Sequence, residues 1–246
     1  MAEHRERRRV PAPAVLATAY AIGAVPFTNL AARLLRGVDL RDVDAGTVSG
    51  TGLYEVTGFG PLAVVGCVEL AKGGIGPLLA GKRRPVLAGL AAGAAVVGHN
   101  WSPLLGFAGG RGISVGLGGI TPIAPEGTAV LASGLIVGRL GGETALGCFA
   151  AIVALPAILA WRRGWPGFAI GVALSLPMLV KRLTGNAFPP ADAGRRVYLY
   201  RLLFDRDTAV KAQTAVAVDA CTSTAGSSAS TGRSIRGRWH SPSGAR

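Results

Sequence analysis

The 246-residue chain is 50% hydrophobic and only 16% charged, with a formal net charge of +13. Its mean hydropathy of +0.41 excludes an ordinary soluble domain of this size and implies an all-α, polytopic membrane protein. The spacing of Cys67, Cys148 and Cys221 argues against a disulfide scaffold or a bound metal, and the positive charge, gathered at the ends and in short loops, suits anionic lipid rather than nucleic acid.

Residues 1–11 form a basic N-terminal segment carrying Arg5, Arg7, Arg8 and Arg9. The apolar run behind them outlasts a signal-peptide core, so the sequence predicts a retained first span over residues 12–35, kinked at Pro26. Asn29 is a polar group inside that span; it either bonds a neighbouring helix or faces a site. Residues 36–59 read as a polar surface loop. There Arg36 and Arg41 alternate with Asp39, Asp42 and Asp44. The loop either neutralises itself at the membrane face or forms a substrate lip from Arg41 and the hydroxyls of Thr47, Ser49 and Thr51.

A second span is predicted over residues 60–80. Glu69 and Lys72 lie three apart in it and share one helix face. A charged pair at that depth is either a functional site or a clamp between helices. Lys82, Arg83 and Arg84 make a basic turn, and a short third span covers residues 86–98. Further apolar segments follow at 113–124, 127–140, 144–161 and 165–180. These are shorter than the ~20 residues of a straight span and are read as short, interfacial or re-entrant. The count is about seven. With seven, loop 36–59, loop 99–112 and the chain after Val180 share one face. Residues 186–205 suit an interfacial helix, with leucines and aromatics beside arginines. Residues 206–246, poor in large apolar side chains, read as a disordered basic tail, which leaves 12–185 as the membrane domain.

Between the third and fourth segments lies the stretch from Gly98 to Gly112. It holds His99 and closes on Gly109, Gly110, Arg111 and Gly112. Closely spaced glycines let backbone N–H groups converge on an anion. The next helix adds its positive end, and Arg111 adds a planar donor fork suited to phosphate. The alternative is a tight turn between packed helices, with Arg111 snorkelling to the headgroups. His99 is either a structural histidine at a helix end or a base.

These residues resemble the small bacterial membrane acyltransferases that acylate glycerol 3-phosphate from acyl-phosphate. Gly98-His99, Pro103, Phe107 and Gly109-Gly110-Arg111-Gly112 resemble that family's glycine loop, which carries lysine where Arg111 stands. Ala24-Val25-Pro26-Phe27, Val38-Asp39-Leu40-Arg41 and the spacing Glu69, Lys72, Gly73 resemble further family motifs in the same order. The chain departs from the pattern at Ala45 and Glu55, where the family has serine and arginine, and at Leu176 and Leu179, where it has histidine and asparagine. The resemblance implies a multi-pass protein of the bacterial cell membrane that makes lysophosphatidate without a cofactor. It implies chemistry at His99 and Arg111, and binding of acyl-phosphate and glycerol 3-phosphate by Gly109, Gly110, Gly112, Arg41, Thr47, Ser49, Thr51, Lys72 and Arg182. The competing expectation is a weakly active or non-catalytic relative that binds phosphate or lipid headgroups.

Overall fold

The structure, a computed structural model, describes residues 10–43, 46–186 and 194–205. The basic N-terminal segment up to residue 9, Asp44, Ala45 and the tail from residue 206 lie outside the described residues. Among the described residues every regular element is helical.

The first span is divided. α1 (Ala12–Gly23) and α2 (Phe27–Arg36) are separated at Pro26, whose ring removes a donor and prevents one continuous helix. α2 stops at Gly37, which takes the left-handed conformation (φ 69°). The loop expected over residues 36–59 contains a helix, α3 (Gly50–Thr57). The Ser49 side chain accepts a bond from the Gly52 amide at 3.1 Å and caps it. Next come α4 (Phe59–Ala80), α5 (Pro85–Asn100), α6 (Ile113–Ile120) and α7 (Pro125–Leu140). α5 and α7 both begin on proline, which loses nothing where a helix has no acceptor for its first amides.

The two segments expected over 144–161 and 165–180 are limbs of one element, α8 (Thr144–Thr184), which reverses at Gly164 (φ 64°, ψ −149°). The limbs run antiparallel: the Ser175 hydroxyl donates to the Ile152 carbonyl at 2.7 Å, and Gly171 packs on Pro156. α9 (Arg196–Phe204) follows and packs on α8.

Ala12–Arg36, Phe59–Ala80 and Thr144–Thr184 are long and apolar enough to cross a membrane. α5, α6 and α7 are shorter, as the sequence predicts. Among the described residues, α1 with α2, α4, α5, α6, α7 and the two limbs of α8 pack as successive segments of one bundle, consistent with a count of about seven. Glycine sets how closely they pack. A β-carbon on Gly73 would stand 2.8 Å from the Val115 carbonyl carbon, so α4 and α6 touch backbone to backbone. Alanines 88, 91, 92 and 95 of α5 line the same core.

A smaller apolar cluster of Ala32, Leu40, Val48, Leu53 and Leu105 underlies the loops at one end. At the other end Trp161 and Trp165 stand 81% and 73% exposed beside Arg162 and Arg163, the composition of a membrane–water boundary.

Candidate active site at one end of the bundle

The loop around Thr47, the glycine loop and the end of α8 meet at one end of the bundle. Asn186 joins all three. Its amide donates to the Gly46 and Gly109 carbonyls at 2.9 Å each, and its oxygen accepts the Gly109 N–H at 3.2 Å. Val48 N–H adds a bond to the Gly109 carbonyl at 3.3 Å. Asn29, buried in α2, accepts the Leu40 amide at 2.8 Å and so fixes the start of the same loop.

The glycine loop differs from a simple anion nest. Gly109 and Gly110 turn their amides to Asn186 and to the His99 carbonyl. What requires glycine there is close approach: a β-carbon on Gly110 would overlap the His99 ring and stand 2.8 Å from the Val48 carbonyl. Of the three glycines around Arg111 only Gly112 adopts positive φ, at 77°, and it opens α6. No side chain caps that helix, so its first amides lack intrahelical acceptors.

Arg111 is 11% exposed, and its guanidinium joins three segments. One terminal nitrogen donates to the Lys181 carbonyl at 3.2 Å and the other to the Thr47 hydroxyl at 3.4 Å, while Nε pairs with Asp205 at 2.5 Å. Arg182 is buried; it donates to the Leu202 carbonyl at 3.0 Å, and its Nε has no hydrogen-bond partner. Lys181 is buried beside it with Nζ 5.2 Å from the Trp101 ring centre.

Behind the loop lies a buried charged cluster. Lys72 Nζ stands 2.7 Å from Glu69 Oε2 and donates to the Val25 carbonyl at 2.9 Å. That carbonyl belongs to the break before Pro26, so the cation satisfies backbone that the kink frees. His99 Nδ1 lies 3.2 Å from both Glu69 and Lys72, and the Thr28 hydroxyl donates to the other oxygen of Glu69 at 3.2 Å.

A cleft of about 630 Å³ opens at this end, lined by Thr47, Ser49, Thr51, Glu69, His99, Arg111, Gly112, Ser114, Arg182 and Asp205 among others. Of the residues singled out in the sequence, Thr47, Ser49, Thr51, His99, Arg111, Gly112 and Arg182 line it. Gly109 and Gly110 do not line it; they hold the loop against Asn186 and the His99 carbonyl. Lys72 and Arg41 do not line it. Lys72 is held in the charged cluster. Arg41 bonds Asp39 at 2.7 Å and the Leu105 carbonyl at 3.3 Å. Those bonds from Arg41 hold the Asp39 carboxyl well below the usual carboxylate range, with help from Arg33. This is the self-neutralising reading of the loop.

Asn186 and Asp205 escape sequence reasoning. Asn186 follows the glycine that ends α8 and carries no signal of its own. Asp205 lies within the segment read only as interfacial.

A model of the glycerol-3-phosphate acyltransferase family matches residues 13–186. A glycerol-3-phosphate acyltransferase of Chlorobium phaeobacteroides (strain BS1) is 34% identical over 163 residues, which is 61% of this chain and 69% of that protein. The enzyme so named from Chlorobaculum tepidum is 32% identical over 164 residues, covering 61% and 71%. Among solved structures, the fold is similar to that of PlsY, an integral membrane glycerol 3-phosphate acyltransferase. Its glycerol 3-phosphate form gives a TM-score of 0.59 at 24% identity, over 71% of this chain and 93% of that one. Its lysophosphatidic acid form gives 0.56 at 20% identity, over 77% and 98%. Fold, motif order and family match agree: this polytopic membrane chain belongs to the glycerol-3-phosphate acyltransferase family.

Proposed function

We propose that the protein transfers an acyl chain from acyl-phosphate to a hydroxyl of glycerol 3-phosphate in the bacterial cell membrane, giving lysophosphatidate and inorganic phosphate. Acyl-phosphate is already an activated mixed anhydride. The protein therefore needs to hold two phosphate-bearing partners, align hydroxyl with carbonyl and stabilise the developing oxyanion. The observation that supports this reading is the junction at Arg111: a cation at the crossing of three segments, beside the uncapped end of α6 and in one cleft with Arg182. Thr47, Ser49 and Thr51 supply hydroxyls at the mouth. The bond formed joins the acceptor oxygen to the acyl carbon, the bond broken joins that carbon to the phosphate oxygen, and the hydroxyl proton ends on the departing phosphate.

His99 suits a positioning role in this reading. Its Nδ1 is engaged with Glu69 and Lys72, and its other edge abuts Gly110. The charged cluster thus braces the phosphate loop from behind.

The test is product formation by detergent-purified protein from labelled glycerol 3-phosphate, with acyl-phosphate and an acyl thioester as alternative donors. Lysophosphatidate from acyl-phosphate, and little from the thioester, is expected. His99→Gln should lower the rate while keeping the parent's pH profile; loss of one limb of that profile would make His99 a proton acceptor instead. Transfer from the thioester alone would overturn the assignment of donor.

A further inference from the structure

The family match ends at residue 186, yet residues 194–205 reach into the cleft. Phe204 and Asp205 line it, and Asp205 places a carboxylate oxygen 2.5 Å from Arg111 Nε. The segment is anchored by bonds running in both directions. Arg201 is buried and donates to the Thr184 carbonyl at 3.1 Å, while Arg182 donates to the Leu202 carbonyl at 3.0 Å. Both arginines of the cleft therefore contact a segment that the matched domain does not contain.

Each nitrogen of the Arg111 guanidinium has one partner, which engages three of its five N–H donors. A backbone carbonyl takes one nitrogen, the Thr47 hydroxyl another and Asp205 the third. Nε has a single N–H, so a phosphate that takes the guanidinium side-on through Nε must displace the group already there. The carbonyl belongs to α8 and the hydroxyl is neutral. Asp205 is the anionic group of the three, and a carboxylate presents to guanidinium the same pair of charged oxygens that phosphate presents.

We propose that Asp205 is an internal competitor for the phosphate position on Arg111, and that residues 194–205 form a cover which a substrate phosphate displaces. This rests on the reading of Arg111 as a phosphate-binding residue. Removing the carboxylate relieves the competition, so phosphate should bind more tightly and KM for glycerol 3-phosphate should fall, about fivefold for an ion pair at a partly exposed site. A merely structural residue would give the opposite: weaker binding and a lower kcat.

The experiment uses the full chain in detergent and compares the parent with Asp205→Asn and Arg201→Gln, the second of which loosens the cover without touching Arg111. Inorganic phosphate binding and the kinetics with glycerol 3-phosphate are measured on each. Tighter phosphate binding and a lower KM in both variants, with kcat not reduced, is the expected result. Tighter phosphate binding in variants of a protein that transfers no acyl chain would keep the competitor and overturn the proposed reaction. Unchanged or weaker phosphate binding overturns the competitor even if the parent is fully active. If both variants fail to fold, residues 194–205 are a structural brace and the proposal is likewise overturned.

Discussion

The buried cluster shows how a single sequence spacing becomes site architecture. Glu69 and Lys72 share a face because they lie three apart. Their burial is tolerable because each is satisfied: Lys72 by carboxylate and freed backbone, Glu69 by Lys72, His99 and Thr28. Removing one partner leaves an uncompensated charge in an apolar interior. Lys72→Met should therefore cost about 3–5 kcal/mol of stability, read as a lower midpoint in thermal or denaturant unfolding in detergent. The double variant Glu69→Gln, Lys72→Met should recover part of that loss, because the stranded carboxylate is gone. A Lys72→Met protein as stable as the parent would mean that the pair is not a structural unit.

The same residues show what was legible in the sequence. Glycines at 109, 110 and 112 with Arg111 marked the loop. The reason for two of those glycines was not legible, since only the fold brings the His99 ring and the Val48 carbonyl against Gly110. Arg41 read as a candidate ligand because charge and proximity in sequence do not reveal that Asp39 already engages it. Asn186 bonds a residue 140 positions away, a partnership that no local pattern encodes.

Among the elements, helix positions followed from apolar runs and from proline, and the boundaries moved by a few residues where caps decide them. Ser49 starts α3 inside a stretch otherwise read as loop, because its hydroxyl stands in for a helical acceptor. The reversal at Gly164 is the sharpest local requirement. Its backbone lies at φ 64°, ψ −149°, and no atom lies within 4 Å of where a β-carbon would sit. Any effect of substitution there is therefore conformational. Gly164→Ala should destabilise by about 1–3 kcal/mol, the penalty of a region that is essentially reserved for glycine. Chemical unfolding in detergent reads it directly. A change near zero would mean that the limbs of α8 adjust freely and that the turn does not fix their packing.

For the whole molecule, the topology places the Thr47 loop, the glycine loop and the end of α8 together, with the basic turn at residues 82–84 at the other end. Cysteine labelling tests this arrangement. Ser102 is buried, with its hydroxyl on the Ala24 carbonyl at 2.5 Å, so the reporter in the glycine loop is Leu104, which is 67% exposed. In a background without the native cysteines, Thr47→Cys and Leu104→Cys should label from one face of the membrane and Lys82→Cys from the other. Labelling of Thr47→Cys and Leu104→Cys from opposite faces would contradict the arrangement.

The central claim is that this arrangement exists to hold phosphate at Arg111 during acyl transfer. The most direct measurement is kcat/KM for glycerol 3-phosphate, with acyl-phosphate as donor, in the parent, Arg111→Ala and Arg111→Lys. Loss of a charge-assisted contact worth about 1.5–3 kcal/mol predicts a fall of roughly ten- to a hundredfold in Arg111→Ala. Arg111→Lys should recover most of it, because lysine restores the cation on the same loop. An Arg111→Ala protein that transfers acyl chains as efficiently as the parent would contradict the account.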